Sequence, residues 1–198
     1  MESLLPFLLF SFVASITPGP TNILVMSHSS RRGLTATLPI IFFACLAATL
    51  VVLAVGLGLG ETLLQFPRVQ QLMAWAGVLW LSWLAWQIFR SVPPSLDPQT
   101  ARDDELSVFG AALLQVINPK VWMMAIAVAS VFAGSGDKTL RMLVLSLAFL
   151  LVCLPCMTLW ALLGVGSARA LRSPQAFKRM NTGLAVLLLV SAWLTVLV

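Results

Sequence analysis

A chain of 198 residues that is 60% apolar and only 10% charged falls well short of the roughly 25% charge of a soluble domain. Its net charge of +5 does not mark a nucleic-acid binder, because the basic residues sit in short connections between apolar runs. Transmembrane β-barrels are excluded as well: "TLVVLAVGLGLG" (Thr49–Gly60) and "VLSLAFLLVCLP" (Val144–Pro155) are apolar on every face instead of alternating.

What remains is an all-α integral membrane protein. Segments 3–30, 33–60, 69–89, 142–168 and 180–198 lack any Asp, Glu, Lys or Arg, and 106–136 contains only Lys120. A bilayer core of about 30 Å takes about 20 apolar residues in a helix. Six spans are therefore expected, at 3–27, 34–59, 70–89, 107–133, 139–166 and 179–198. The first is read as an uncleaved span, since "MESLLPFLLF" has neither a basic leader nor a small-residue cleavage site. It carries "SITPGPTNILVM" (Ser15–Met26), with Pro18, Gly19 and Pro20 near its middle. His28, at its cytoplasmic end, is expected at headgroup level.

The second span ends in "GLGLG" (Gly56–Gly60), a small-residue pattern that allows close helix contact or a homodimer. The third carries Trp75, Trp80, Trp83 and Trp86. A linker follows, with Pro93, Pro94, Pro98 and four acidic residues. It divides the chain into a first three-helix unit (1–92), a cytoplasmic linker (93–106) and a second three-helix unit (107–198). The fifth span contains Cys153 and Cys156 at the spacing of a redox dithiol. It lacks the βαβ context of such motifs, so these cysteines are expected to act as small apolar residues. A thiol-redox electron shuttle and a non-transporting assembly component are the competing functional readings. Nothing in the sequence clusters as a metal site, and no cofactor motif or catalytic constellation of an enzyme is present.

Loops 1–2, 3–4 and 5–6 hold eight basic residues against three (Arg68, Lys138, Arg141) on the other side. The positive-inside rule then places both termini on the outer, periplasmic face of a bacterial inner membrane.

Shifting the chain by 101 residues lays "SITPGPTNILVM" on "VINPKVWMMAIA" (Val116–Ala127): Ile16 meets Ile117, Thr17 meets Asn118, and Pro18 meets Pro119. Three spans per half make the second half enter from the opposite side, which is an inverted repeat. In such folds substrate sites lie at the midplane on interrupted helices. Proline inside a helix removes a hydrogen bond at a cost of about 3 kcal/mol, and irregular backbone survives in hydrocarbon only against protein or water. Both breaks are therefore expected to face the bundle interior.

Lys120 sits near the centre of its span. Its stem cannot reach headgroups about 15 Å away, and a charge there costs about 2.5–3.5 kcal/mol on insertion scales. It is expected to receive an anion such as a substrate carboxylate. All seven acidic residues lie at span ends or in loops, so a second positive charge on the substrate would go unpaired. A neutral amino acid or similar zwitterion fits better than a basic one. Pro18, Gly19, Pro20, Thr21, Asn22, Asn118, Pro119 and Lys120 are the candidate binding residues, with Gln115 weaker.

"TPGPTNIL" near the N-terminus and "NPK" opening the second half resemble the LysE/RhtB family of bacterial amino-acid exporters, nearest its cysteine and O-acetylserine branch. "AWAGVLWLSWLAWQI" (Ala74–Ile88) and "KRMNTGLAVLLLV" (Lys178–Val190) extend the likeness over essentially the whole chain. The resemblance implies proton-driven amino-acid export across the inner membrane, with the motif falling on Pro18, Gly19, Pro20, Asn22, Asn118, Pro119 and Lys120. The chain departs from the family pattern at "FFACLAA" (Phe42–Ala48), where glycines are common, and at Trp80, where tyrosine is common.

Overall fold

In hydrocarbon a segment can satisfy its backbone only within itself or in a closed sheet, and every regular element of this chain's described residues is helical. The computed structural model describes residues 4–59, 65–90, 107–132, 137–170 and 174–197. The helices are α1 (Leu4–Ile16), α2 (Pro20–Ala54), α3 (Pro67–Arg90), α4 (Val108–Ile117), α5 (Pro119–Phe132), α6 (Lys138–Ala170) and α7 (Pro174–Leu197), with a π-helical turn, Val55–Leu59, extending α2. The linker 93–106 lies outside the described residues.

The expected first span is thus two helices, α1 and the start of α2. The expected second span is the rest of α2. Between them the helix is broken only at Gly33, whose φ of 81° and ψ of 175° lie in a region closed to side-chain-bearing residues. This joint is sewn shut. The Thr37 hydroxyl donates to the Gly33 carbonyl at 2.7 Å and, its proton so used, accepts from His28 Nδ1 at 3.0 Å. His28 is 5% exposed. The side chain expected at headgroup level is enclosed by the protein and takes part in the packing of the joint.

Two helical stretches among the described residues, Pro20–Leu59 and Lys138–Ser167, are long and apolar enough to cross a membrane by themselves. The pair α4 and α5, bent by 59° at Asn118, makes a third when taken as one broken span. Helix α1 has 13 residues and is too short alone. Helices α3 and α7 have 24 residues each, with Arg68, Gln70 and Gln71, or Lys178 and Arg179, in their first two turns.

Helix α2 forms the centre, packed most extensively on α6 and then on α4, while α3 packs on α7 and α1 on α6. The outer surface is strongly apolar, and polar side chains are set within the apolar core. Leu5, Leu9, Phe12, Leu72, Leu79, Trp83, Leu147 and Leu151 are exposed, whereas Ser11, Thr21, Asn22, Gln115, Asn118, Ser146 and Asn181 are buried. That distribution suits a lipid surround, in which apolar exposure is free and polar groups hold helices together. The α3–α7 pair shows this: Trp193 Nε1 donates to Ser82 Oγ at 3.2 Å, and the Trp75 and Trp193 rings meet edge-on at 6.2 Å.

The α2–α6 seam depends on small residues. A Cβ on Gly164 would collide with Ser29 Oγ and the Met26 carbonyl, and Ser29 Oγ makes hydrogen bonds with that carbonyl at 3.0 Å and with the Ala161 carbonyl at 2.9 Å. Gly164→Leu therefore forces the central helices apart. It is expected to cost about 1–3 kcal/mol or more by overpacking, measured as a lowered thermal midpoint in detergent, while Gly166→Leu, which meets open space, leaves the midpoint near that of the parent.

Candidate functional site

Helix α1 stops where its chemistry runs out. The carbonyls of Ala14 and Ile16 would take the N–H groups of residues 18 and 20, and proline has none. The last helical bond runs from Thr17 N to the Val13 carbonyl at 3.0 Å, doubled by the Thr17 hydroxyl at 2.6 Å. Beyond it, side chains supply the missing donors. Asn22 Nδ2 donates to the Ser15 carbonyl at 2.9 Å and Trp160 Nε1 to the Ile16 carbonyl at 3.2 Å. Lys120 Nζ donates to the Thr17 carbonyl at 2.8 Å. The lysine of the second break thus sits on the open backbone of the first.

The second break follows the same logic with fewer residues. Helix α4 ends at Ile117 and α5 begins at Pro119, leaving only Asn118 between them, in an extended conformation. Pro119 cannot donate to the Gln115 carbonyl, which instead receives Asn118 N at 3.4 Å. Asn118 Oδ1 accepts from Lys120 N at 3.1 Å, capping α5. The Val116 carbonyl, so deprived of Lys120 N, accepts from Trp122 Nε1 at 2.6 Å. Each break therefore has one carbonyl bonded by an indole.

The two breaks enclose a cavity of about 50 Å³, room for about four water molecules at 10–15 Å³ each. One wall is polar. Asn118 Nδ2 donates to Thr21 Oγ1 at 3.4 Å, Thr21 Oγ1 to Gln115 Oε1 at 3.2 Å, and Gln115 Nε2 to the Ala111 carbonyl at 2.9 Å. This chain links the first break to the second. The N-terminus of α2 also opens here without a side-chain cap, its Ncap being Gly19. Its free N–H groups carry the positive end of the helix dipole. Gly19 lets Lys120 approach: a Cβ there would lie 3.1 Å from both Cδ and Nζ. The other wall is soft and apolar, formed by Cys45, Met124, Phe149, Cys153 and Met157. No acidic side chain among the described residues lines the cavity.

Six of the eight candidate residues therefore line one cavity: Gly19, Pro20, Thr21, Asn22, Asn118 and Lys120. Pro18 and Pro119 do not line it. Pro18 is exposed together with Thr17, so the expectation that the whole first break faces inward is corrected. The prolines act by withholding a donor, which needs no contact with the cavity. Gln115, the weaker candidate, is 3% exposed and central to the polar wall. Ser15, Cys45, Phe149, Cys153 and Met157 were not singled out as lining residues. The last three share a face of α6 at i, i+4 spacing, a pattern that any packed apolar helix also shows.

Asn22→Ala leaves the Ser15 carbonyl without its donor. The expected loss is about 1–3 kcal/mol, read as a lowered thermal midpoint in detergent, with Asn22→Asp also destabilising because a carboxylate cannot donate.

The LysE type translocator family model matches residues 12–197. The cysteine/O-acetylserine efflux proteins of Salmonella typhimurium and Escherichia coli strain K12 are each 27% identical to the chain over 188 residues, covering 94% of it and 93% of the relative. No solved structure matches significantly. With a broken-helix cavity inside an apolar helical bundle and a family match over nearly its whole length, the chain is a membrane protein that belongs to the LysE type translocators, a family of transporters rather than enzymes.

Proposed function

We propose that this protein exports neutral amino acids or related zwitterions across the bacterial inner membrane, by proton-coupled alternating access of two inverted three-helix repeats. The observation that carries the reading is the position of Lys120 Nζ, held at 2.8 Å on the Thr17 carbonyl beside the uncapped N-terminus of α2. A half-buried ammonium and a helix N-terminus converge on one spot, an arrangement that suits an anion. A substrate carboxylate would replace the Thr17 carbonyl as the partner of Lys120 and take N–H groups of Thr21 and Asn22. Its amino group would turn to backbone carbonyls opened by the breaks.

Two further observations support the reading. The lack of an acid on the cavity wall leaves a cationic side chain without a counter-charge, as the sequence suggests. The most extensive helix pairing, α2 with α6, and the pairing of α3 with α7 join spans that would correspond in the units 1–92 and 107–198, although α2 packs on α4 as extensively as α3 does on α7. The cysteine and O-acetylserine named for the relatives are small neutral amino acids of this class. The cavity is where such a substrate would sit in the proposed cycle, with access alternating as the two units move.

Reconstituted protein is expected to move radiolabelled neutral amino acids and to leave lysine and arginine behind. Lys120→Met, at normal membrane levels, should lose export by about ten- to hundredfold, the equivalent of one charge-assisted hydrogen bond of roughly 1.5–3 kcal/mol; export at the parent rate sinks the carboxylate assignment. A protonophore should abolish export driven by a pH gradient alone, and insensitivity to it would remove the proton coupling.

A further inference from the structure

The cysteine spacing that first suggests a dithiol is Cys153 to Cys156, yet the sulfur that meets Cys153 belongs to another helix. Cys45 Sγ on α2 lies 3.3 Å from Cys153 Sγ on α6. Both thiols are free and buried, at 1% and 7% exposure. Both line the cavity between the helix breaks, while Cys156 is buried away from it.

We propose that Cys45 and Cys153 are a reversible modification site: a hydroperoxide entering the cavity converts them to a disulfide that locks the protein shut. One thiol attacks the O–O bond of the hydroperoxide, forming a sulfenic acid and releasing water or alcohol. The second thiol attacks that sulfur, expelling water and forming the S–S bond. The two thiols lose two electrons and two protons, and the hydroperoxide takes them up. A dithiol reductant reverses the step by exchange.

Geometry makes this pair the reactive one. The sulfurs need only close from 3.3 Å to about 2.05 Å, and the shared cavity brings a small polar oxidant to them. The lock rests on the proposed transport cycle. Cys45 belongs to the first three-helix unit and Cys153 to the second, so the new bond ties together the two bodies whose separation admits substrate.

The test uses the full chain in proteoliposomes, with hydrogen peroxide as the probe. Peptide mapping by mass spectrometry follows the thiols, and amino-acid efflux is measured before peroxide, after it, and after dithiothreitol. The expected result is a Cys45–Cys153 linked peptide in the parent and in Cys156→Ser, with loss of efflux that dithiothreitol restores. Cys45→Ser and Cys153→Ser, at whatever rate each retains, should not respond to peroxide. No linked peptide, or a Cys153–Cys156 link in its place, overturns the assignment. A Cys45–Cys153 link with unchanged efflux overturns the lock. If reduced protein moves no amino acid at all, the exporter reading fails, and the mapping alone still decides whether the pair is a modification site.

Discussion

A proline inside a membrane helix leaves a carbonyl without its helical donor, and much of this molecule's interior is arranged around that debt of donors. Asn22, Trp160 and Lys120 come from α2, α6 and α5 to the three carbonyls that end α1. At the second break the Asn118 backbone N–H and Trp122 Nε1 donate to the Gln115 and Val116 carbonyls, while Asn118 Oδ1 accepts from Lys120 N. Each of these side chains is held in place by what it satisfies, so the helices are registered by hydrogen bonds where apolar packing against lipid-like neighbours could not register them. Lys120 is the exceptional member, because it alone among these donors is charged while its partner is a neutral carbonyl. Under the proposed function it would exchange that acceptor for an anion.

The sequence made the breaks and the mid-span cation legible because each violates a strong rule. Prolines in mid-span and a lysine in hydrocarbon demand an explanation from their type and position alone. The 101-residue shift is matched at the helix ends, where α1 stops at Ile16 and α4 at Ile117. The joint between the first two expected spans was harder to read. Arg31 and Arg32 suggested a loop, but the helix runs through them to a one-residue turn at Gly33, and His28 packs into that joint through Thr37. The soft wall was not legible at all. Cys45, Phe149, Cys153 and Met157 obey every rule of an apolar span, and only the three-dimensional crossing of α2 and α6 turns them toward a cavity. Cys153 illustrates the limit: local spacing pointed to Cys156, while tertiary packing supplied Cys45.

The seam between α2 and α6 is thus asked to be both tight and separable. Near Gly164 the helices approach until a single methyl group would collide, and the Ser29 hydroxyl bridges them. Nearer the breaks, the same two helices face each other across thiols, thioethers and an aromatic ring, which present no strong hydrogen bonds. Under the proposed cycle, opening would begin at this weakly bonded end and pivot about the glycine contact. A polarizable wall also tolerates different small side chains, since it asks for contact and not for a particular donor.

The two breaks, finally, are unequal. Three residues, Thr17 to Gly19, separate α1 from α2, whereas Asn118 alone separates α4 from α5. Two identical halves exchanging roles would give inward-open and outward-open forms of equal energy. Here one half carries a longer and slacker joint, and only the other carries the lysine. Under the proposed cycle the two forms would then not be mirror images, and the empty protein would have a preferred resting side. A built-in bias of that kind sets which face waits for substrate, while the gradients alone decide the net direction of flow.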